Sequence, residues 1–313
     1  MAIDASRVLV TGANGALGRH LLRTLSEGRA GRAAAVVRSP GAAATVAELP
    51  EPARPEVHVV DYRDVEGLAK AMAGRDLVVH LVGILKESKR SRYAEAHEQA
   101  SAAVAEAAGR SGVGRIVYLS ILGASAASPN ACLASKGRSE DLLLEHAVAA
   151  TVLRLPMVLG EGDVASRALR AQARAKLLPL LDGGRSLEQP VDADDVVAAV
   201  LAACERPETA RLSLDLAGPE SLSHRELVLR AAALHRNRPR FVSVPSGLAR
   251  LLARAAERFL DEPPLTPAML DVLLHDDRID PEPAARTLGI RLTPLDAMLA
   301  RRVGPEPDEG SHA

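Results

Sequence analysis

Three glycines, a thiol, an ammonium group and a hydroxyl mark where this chain could do chemistry. Gly12, Gly15 and Gly18 recur at three-residue intervals in Thr11-Gly12-Ala13-Asn14-Gly15-Ala16-Leu17-Gly18. In such a loop one glycine lets the chain reverse, a second lets the backbone approach a pyrophosphate, and a third lets the next helix pack closely. The helix N-terminus then supplies oriented N–H donors. Asn14, Ala16 and Leu17 complete that dinucleotide loop. Further on, Ser120 ends an apolar run, and Cys132 and Lys136 stand four residues apart. A thiol has an ordinary pKa near ~8.5 and would titrate usefully beside an ammonium.

Positioning these groups requires a regular scaffold. Short apolar runs alternate with helical periodicity through the first half, the pattern of an α/β fold: a doubly wound parallel sheet covered by helices on both faces. Strands are expected at 7–11, 34–38, 56–60, 77–82, 115–120 and 151–155, and helices at 65–73, 93–111 and 136–148. Leu17, Leu21, Leu22 and Leu25 recur at helical spacing directly after the glycines. After Pro156 the rhythm loosens into Gly-rich stretches, a helix from about 192 to 204 and a strand at 212–216. Ser223 and Glu226 then form a capping box. The expected organisation is a dinucleotide-binding core over 1–160, then the remaining core elements and a smaller, mostly helical C-terminal lobe over 161–303, and a polar, disordered tail over 304–313.

Strand two ends in Val36-Val37-Arg38-Ser39 with no carboxylate. A guanidinium there can pair with a 2'-phosphate, which favours NADP(H) over NAD(H); the alternative is a solvated strand-end arginine. Asp61, followed by Tyr62, suits the adenine amino group, or caps a helix.

Composition excludes several functions. The 39 basic and 40 acidic side chains give a net charge of -1, with no tryptophan and two phenylalanines. No nucleic-acid role is expected from such a chain. Two cysteines and nine scattered histidines suggest neither a disulfide framework nor a metal site. No apolar run approaches the ~18 residues needed to span a bilayer, and a cytoplasmic location is expected.

The order of motifs resembles the extended and atypical branch of the short-chain dehydrogenase/reductase superfamily, with its Rossmann fold. The glycine loop is followed by Val59-Val60-Asp61, His80-Leu81-Val82-Gly83-Ile84-Leu85, Arg115-Ile116-Val117-Tyr118-Leu119-Ser120, Leu153-Arg154-Leu155-Pro156, Pro190-Val191-Asp192 and Ala217-Gly218-Pro219-Glu220. Val-Gly-Ile-Leu at 82–85 and Pro264-Leu265-Thr266 look most like the group containing the nucleotide-binding accessory subunit of respiratory complex I. The resemblance implies that Leu81, Gly83 and Pro156 line the cofactor. It also implies that Ser120, a tyrosine and Lys136 transfer the proton, with Lys136 binding the nicotinamide ribose. Cys132 stands where the tyrosine should be, and its sulfur lacks the reach of a phenol ring. Tyr93 is expected to pack in the core, and Tyr118 lies too far down its strand.

The resemblance and the aliphatic cleft borders at 83–85, 120–123 and 157–160 together suggest a reductase of an apolar carbonyl, quinone or activated alkene. A catalytically silent nucleotide-binding assembly protein with a protein partner is the second reading, and a nucleotide-sugar epimerase or dehydratase the third. The basic run from Lys86 to Arg92 is a solvated loop, a cover over an anionic substrate or a partner contact. Leu248, Leu251, Leu252, Ala255 and Phe259 share one helical face, which either packs on the domain or lies peripherally on a membrane.

Overall fold

Nearly every strand in the first half is apolar on both sides, as a sheet sandwiched between helices demands. The computed structural model describes residues 3–27, 30–88, 91–260 and 265–305. Residues 306–313 of the expected tail, Lys89 and Arg90 of the basic run, and Pro264 lie outside the described residues. Strands β1 (Val8–Thr11), β2 (Ala34–Val37), β3 (Glu56–Val59), β4 (Leu77–His80), β5 (Arg115–Ile121) and β6 (Ala149–Leu155) join Ser213–Asp215 in one seven-stranded sheet. Its order is Ser213–Asp215, β6, β5, β4, β1, β2, β3, and every pairing is parallel. Strand order therefore reverses between β1 and β4, the crevice where such sheets bind ligands beyond their carboxyl ends.

Alternate residues of each strand feed different layers. Leu9, Val36, Val78, Ile116 and Val152 pack with α3 (Val65–Met72), α4 (Ala100–Ser111) and α5 (Ala131–Glu145), where Leu68, Val104 and Leu143 are fully buried. Val10, Val37, Val79, Val117 and Leu153 pack on the other face with α1 (Ala16–Ser26), α2 (Pro40–Ala47), α7 (Ala193–Glu205) and α11 (Glu282–Leu288). A separate apolar cluster forms the C-terminal lobe from α6 (Val164–Arg174), α8 (His224–Leu234) and α12 (Leu295–Arg302). In the same half, Leu177–Leu181 pairs in parallel with Arg240–Val244. The Ser223 hydroxyl accepts from the Glu226 amide, the first of the two bonds of a capping box, while the Glu226 carboxylate accepts from Arg230.

Several boundaries differ from the sequence reading. The segment expected as one helix over 93–111 is a π-helical turn at Ala94–Gln99 followed by α4. Wide turns of this kind are costly and are found where they aim a side chain; this one carries buried His97. Helix α5 starts before Lys136, because the Asn130 side chain accepts from the amides of Cys132 and Leu133. That cap places Cys132 in the first turn. Helix α9 (Ser246–Phe259) reverses the packing expectation: Leu251, Leu252 and Phe259 are exposed by 62%, 61% and 80%, and Ala253 is its buried residue. At 100° per residue Ala253 faces away from that stripe, so the protein is contacted by the small-residue face. No helix among the described residues is long and apolar enough to cross a membrane.

Candidate active site

The glycine loop sits at the β1/β4 crevice with each glycine under a different constraint. Gly12 has φ of +69°, and a Cβ there would lie 3.1 Å from the Leu81 carbonyl carbon. Gly18 passes so near Ala13 that a Cβ would sit 2.8 Å from its backbone. Gly15 is the N-cap of α1, without a side-chain hydrogen bond, and a Cβ there would meet nothing nearer than the Gly12 carbonyl at 3.4 Å; Ala16 and Leu17 open the helix. The Asn14 carbonyl accepts from Arg19, which braces the loop from the helix side.

Arg38, Asp61 and Tyr62 gather beyond β2 and β3. Arg38 is exposed one residue past β2. Asp61 is exposed and accepts from its neighbour Arg63 at 2.9 and 3.1 Å. Those hydrogen bonds, with the charges of Arg63 and Arg38, hold its carboxyl below the usual range. Asp61 is not the helix cap; Asp64 caps α3 by accepting from Gly67. Tyr62 is tied to the loop itself: the Gly12 amide donates to its hydroxyl at 3.2 Å, and the hydroxyl reaches the Val36 carbonyl at 3.4 Å. Leu81 follows β4, its amide donating to Thr11 at 3.2 Å, and half-buried Pro156 follows β6.

The ammonium of Lys136 is buried between β4 and β5. It donates to the Leu119 carbonyl at 3.0 Å and lies 4.6 Å from the centre of the Tyr118 ring. Gly83 makes room for it, since a Cβ there would stand 2.8 Å from Nζ. The Ser120 hydroxyl is buried and has no hydrogen-bond partner among the described residues. A buried unpaired hydroxyl costs about 1–3 kcal/mol.

Cys132 is fully buried with its sulfur 3.7 Å from the Ile84 carbonyl. Burial pushes its thiol up, against the opposing pull of Lys136 and of the adjacent Tyr93 hydroxyl. Tyr93 is 4% exposed, in keeping with core packing, yet its hydroxyl also serves the site. It donates to the Leu85 carbonyl at 2.9 Å and lies against the Cys132 thiol and the Thr266 hydroxyl. His97, which sequence reasoning missed, stacks on Tyr93 with ring centres 5.5 Å apart and meets the Ile84 amide at 3.0 Å. Tyr93, His97 and Cys132 thus converge on the Ile84–Leu85 backbone. The part of the basic run that is described turns back on itself, with Arg92 3.8 Å from Glu87.

His80 and His97 are held neutral down to about pH 3, first by burial and then by the Lys136 charge. An unfolded chain binds these protons near 6.5, so below that pH the unfolded state takes up more protons than the fold. Their contribution to stability is complete above pH 6.5 and is lost as pH falls through about 3. The melting temperature should decline across that window, and His97→Gln should flatten the decline.

A segment of the C-terminal half closes over these groups. Thr266 reaches Tyr93, the Asn130 amide donates to the Ala268 carbonyl at 2.8 Å, and α10 (Pro267–Leu273) packs against α5. His275 then lies on Gly123, just beyond β5: a Cβ on Gly123 would be 2.7 Å from His275 Nε2. Among the described residues no cluster of three or more His, Cys, Asp or Glu could hold a metal.

Comparison with known proteins agrees with this geometry. Residues 12–207 match the NAD(P)H-binding family. The chain is 29% identical over 210 residues to mitochondrial NADH dehydrogenase (ubiquinone) 1 alpha subcomplex subunit 9 of Arabidopsis thaliana, over 65% of this chain and 52% of that protein. The match thus spans about half of that relative's length. It is 28% identical over 254 residues to ceramide reductase of Caulobacter vibrioides, over 78% of this chain and 76% of that protein. In fold it resembles the NADPH-dependent quinone oxidoreductase of Escherichia coli, with a TM-score of 0.69, 20% identity, and coverage of 94% and 99% of the two chains. The glycine-loop cradle, the all-parallel sheet and the match over most of the chain make this a member of the NAD(P)H-binding, atypical short-chain dehydrogenase/reductase family.

Proposed function

We propose that this chain is an NADP(H)-dependent reductase of an apolar carbonyl, quinone or activated alkene. The observation that carries the reading is the Lys136 ammonium, buried beside Gly83 and bonded to the Leu119 carbonyl, one residue before Ser120 with its unpaired hydroxyl. A charged side chain kept out of water this way is costly unless a bound group uses it. The bound dihydronicotinamide supplies the hydride. Lys136 would hold its ribose, Ser120 would meet the substrate oxygen, and the open N-terminus of α1 would hold the pyrophosphate. Leu81, Gly83 and Pro156 would flank the nicotinamide side, and Asp61 and Tyr62 the adenine side. Cys132 enters this reading as a residue that shapes the site, because its thiol is sealed and its pKa raised. The names of two relatives, a ceramide reductase and a quinone oxidoreductase, support an apolar substrate. Free Cys132 and Cys204 support a reducing, cytoplasmic setting.

The test is NADPH oxidation against a panel of quinones, long-chain carbonyls and enals. Tight binding without oxidation of any of them would overturn the reading. Within it, exposed Arg38 is assigned to the 2'-phosphate. Arg38→Ala should raise the NADPH dissociation constant about 10- to 100-fold, the equivalent of one charge-assisted contact, and leave that of NADH unchanged. Equal effects on both would return Arg38 to the solvated surface. The assembly reading keeps one specific support: the outward apolar stripe of α9 in a chain similar to a complex I subunit.

A further inference from the structure

We infer that His275, held by Asp277, is the acid that protonates the substrate oxygen, the task that Cys132 is too short and too deeply buried to perform. The inference rests on the reductase reading. Three observations carry it. The imidazole lies against Gly123, on the loop directly after β5, with Nε2 turned to that cleft wall. Its other nitrogen, Nδ1, is 3.4 Å from Asp277 Oδ1, and the ring keeps 41% of its surface exposed, which leaves a path for proton return from solvent. Finally, the segment that carries it is fastened on both sides. Thr266 and Ala268 contact Tyr93 and Asn130, the Asp277 amide donates to Leu187 at 2.9 Å, and the Ser221 hydroxyl donates to the Asp277 carbonyl at 2.7 Å.

Other carboxylates face the pair. Asp277 is pushed up to about 6 by burial and by the neighbouring Glu188 carboxylate, with Asp276 adding to the repulsion and His275 opposing it. Glu188 in turn faces His224 at 3.4 Å, and Asp276 accepts from the Leu187 amide. Asp277 thus holds the Nδ1 side of the ring and leaves Nε2 as the nitrogen directed at Gly123. In the step itself the carbonyl carbon accepts hydride with its electron pair, and the C=O π pair moves onto oxygen. That oxygen takes the Nε2 proton and leaves His275 neutral; water then restores the proton.

The test uses full-length protein, 4-deuterated NADPH to isolate hydride transfer, and menadione, decanal and trans-2-decenal as probes. His275→Gln should lower the rate about 10²- to 10⁴-fold, with NADPH affinity retained. Asp277→Asn, which keeps the imidazole but removes the carboxylate that holds it, should lower the rate by a smaller factor. As a readout independent of turnover, the His275 imidazole resonance should shift when 1-decanol binds protein loaded with NADP+. A His275→Gln protein with wild-type rate, or a resonance that stays still at saturating decanol, overturns the assignment and leaves the reductase reading standing. A wild-type protein that oxidises NADPH with none of the probes overturns both.

Discussion

Lys136→Ala should lower hydride transfer by about 10²- to 10³-fold, the usual loss when one buried electrostatic contact to the reacting groups is removed. Wild-type Lys136 touches the Leu119 carbonyl and the Tyr118 face, so its loss also strips charge from the pocket beneath. A second signature separates this role from simple packing. Because Lys136 helps hold His80 and His97 neutral, both imidazoles should titrate at higher pH in the variant, which NMR of the histidine ring resonances would measure. Lost turnover with unchanged histidine titrations would mean that the ammonium does not sit where the structure places it.

Cys132→Tyr restores the superfamily's usual residue and should nonetheless destabilise the protein by about 3 kcal/mol, the cost of overpacking a closed core. The thiol is fully buried, with the Tyr93 hydroxyl against it and the Ile84 carbonyl at 3.7 Å. A second phenol has no room. The double variant Cys132→Tyr with Tyr93→Ala should recover much of the loss, a coupling that denaturant unfolding of the four proteins in the cycle would read. Additive single effects would show that the two side chains do not compete for one space.

The parts of this molecule that were readable in the sequence are those fixed by local rules. Glycines at 12, 15 and 18 between a buried strand and an amphipathic helix specify their turn from steric needs alone, and the two-sided apolar strands specify a covered parallel sheet. Lys136 was legible through its spacing from position 132. What escaped was set by contacts distant in sequence. Nothing near Tyr93 announces that it will meet Cys132, and nothing near His275 announces Gly123. The early start of α5 was locally encoded, by Asn130 as a cap, but lay behind an uninformative Ala-Ser-Pro stretch. Helix α9 shows the opposite limit: periodicity identifies an apolar stripe without saying which way it faces.

The strand order also bears on how the chain reaches this state. Strand β1 completes the crevice by pairing with β4, across a segment that contains β2 and β3, and Gly12 meets Leu81 only when that pairing is made. Closing long loops between parallel strands is entropically slow and comes late in assembly. The dinucleotide seat therefore depends on a contact between positions far apart in the chain. A nucleotide bound there would stabilise the finished fold by mass action, and with it the pairing that ties the first strand to the fourth.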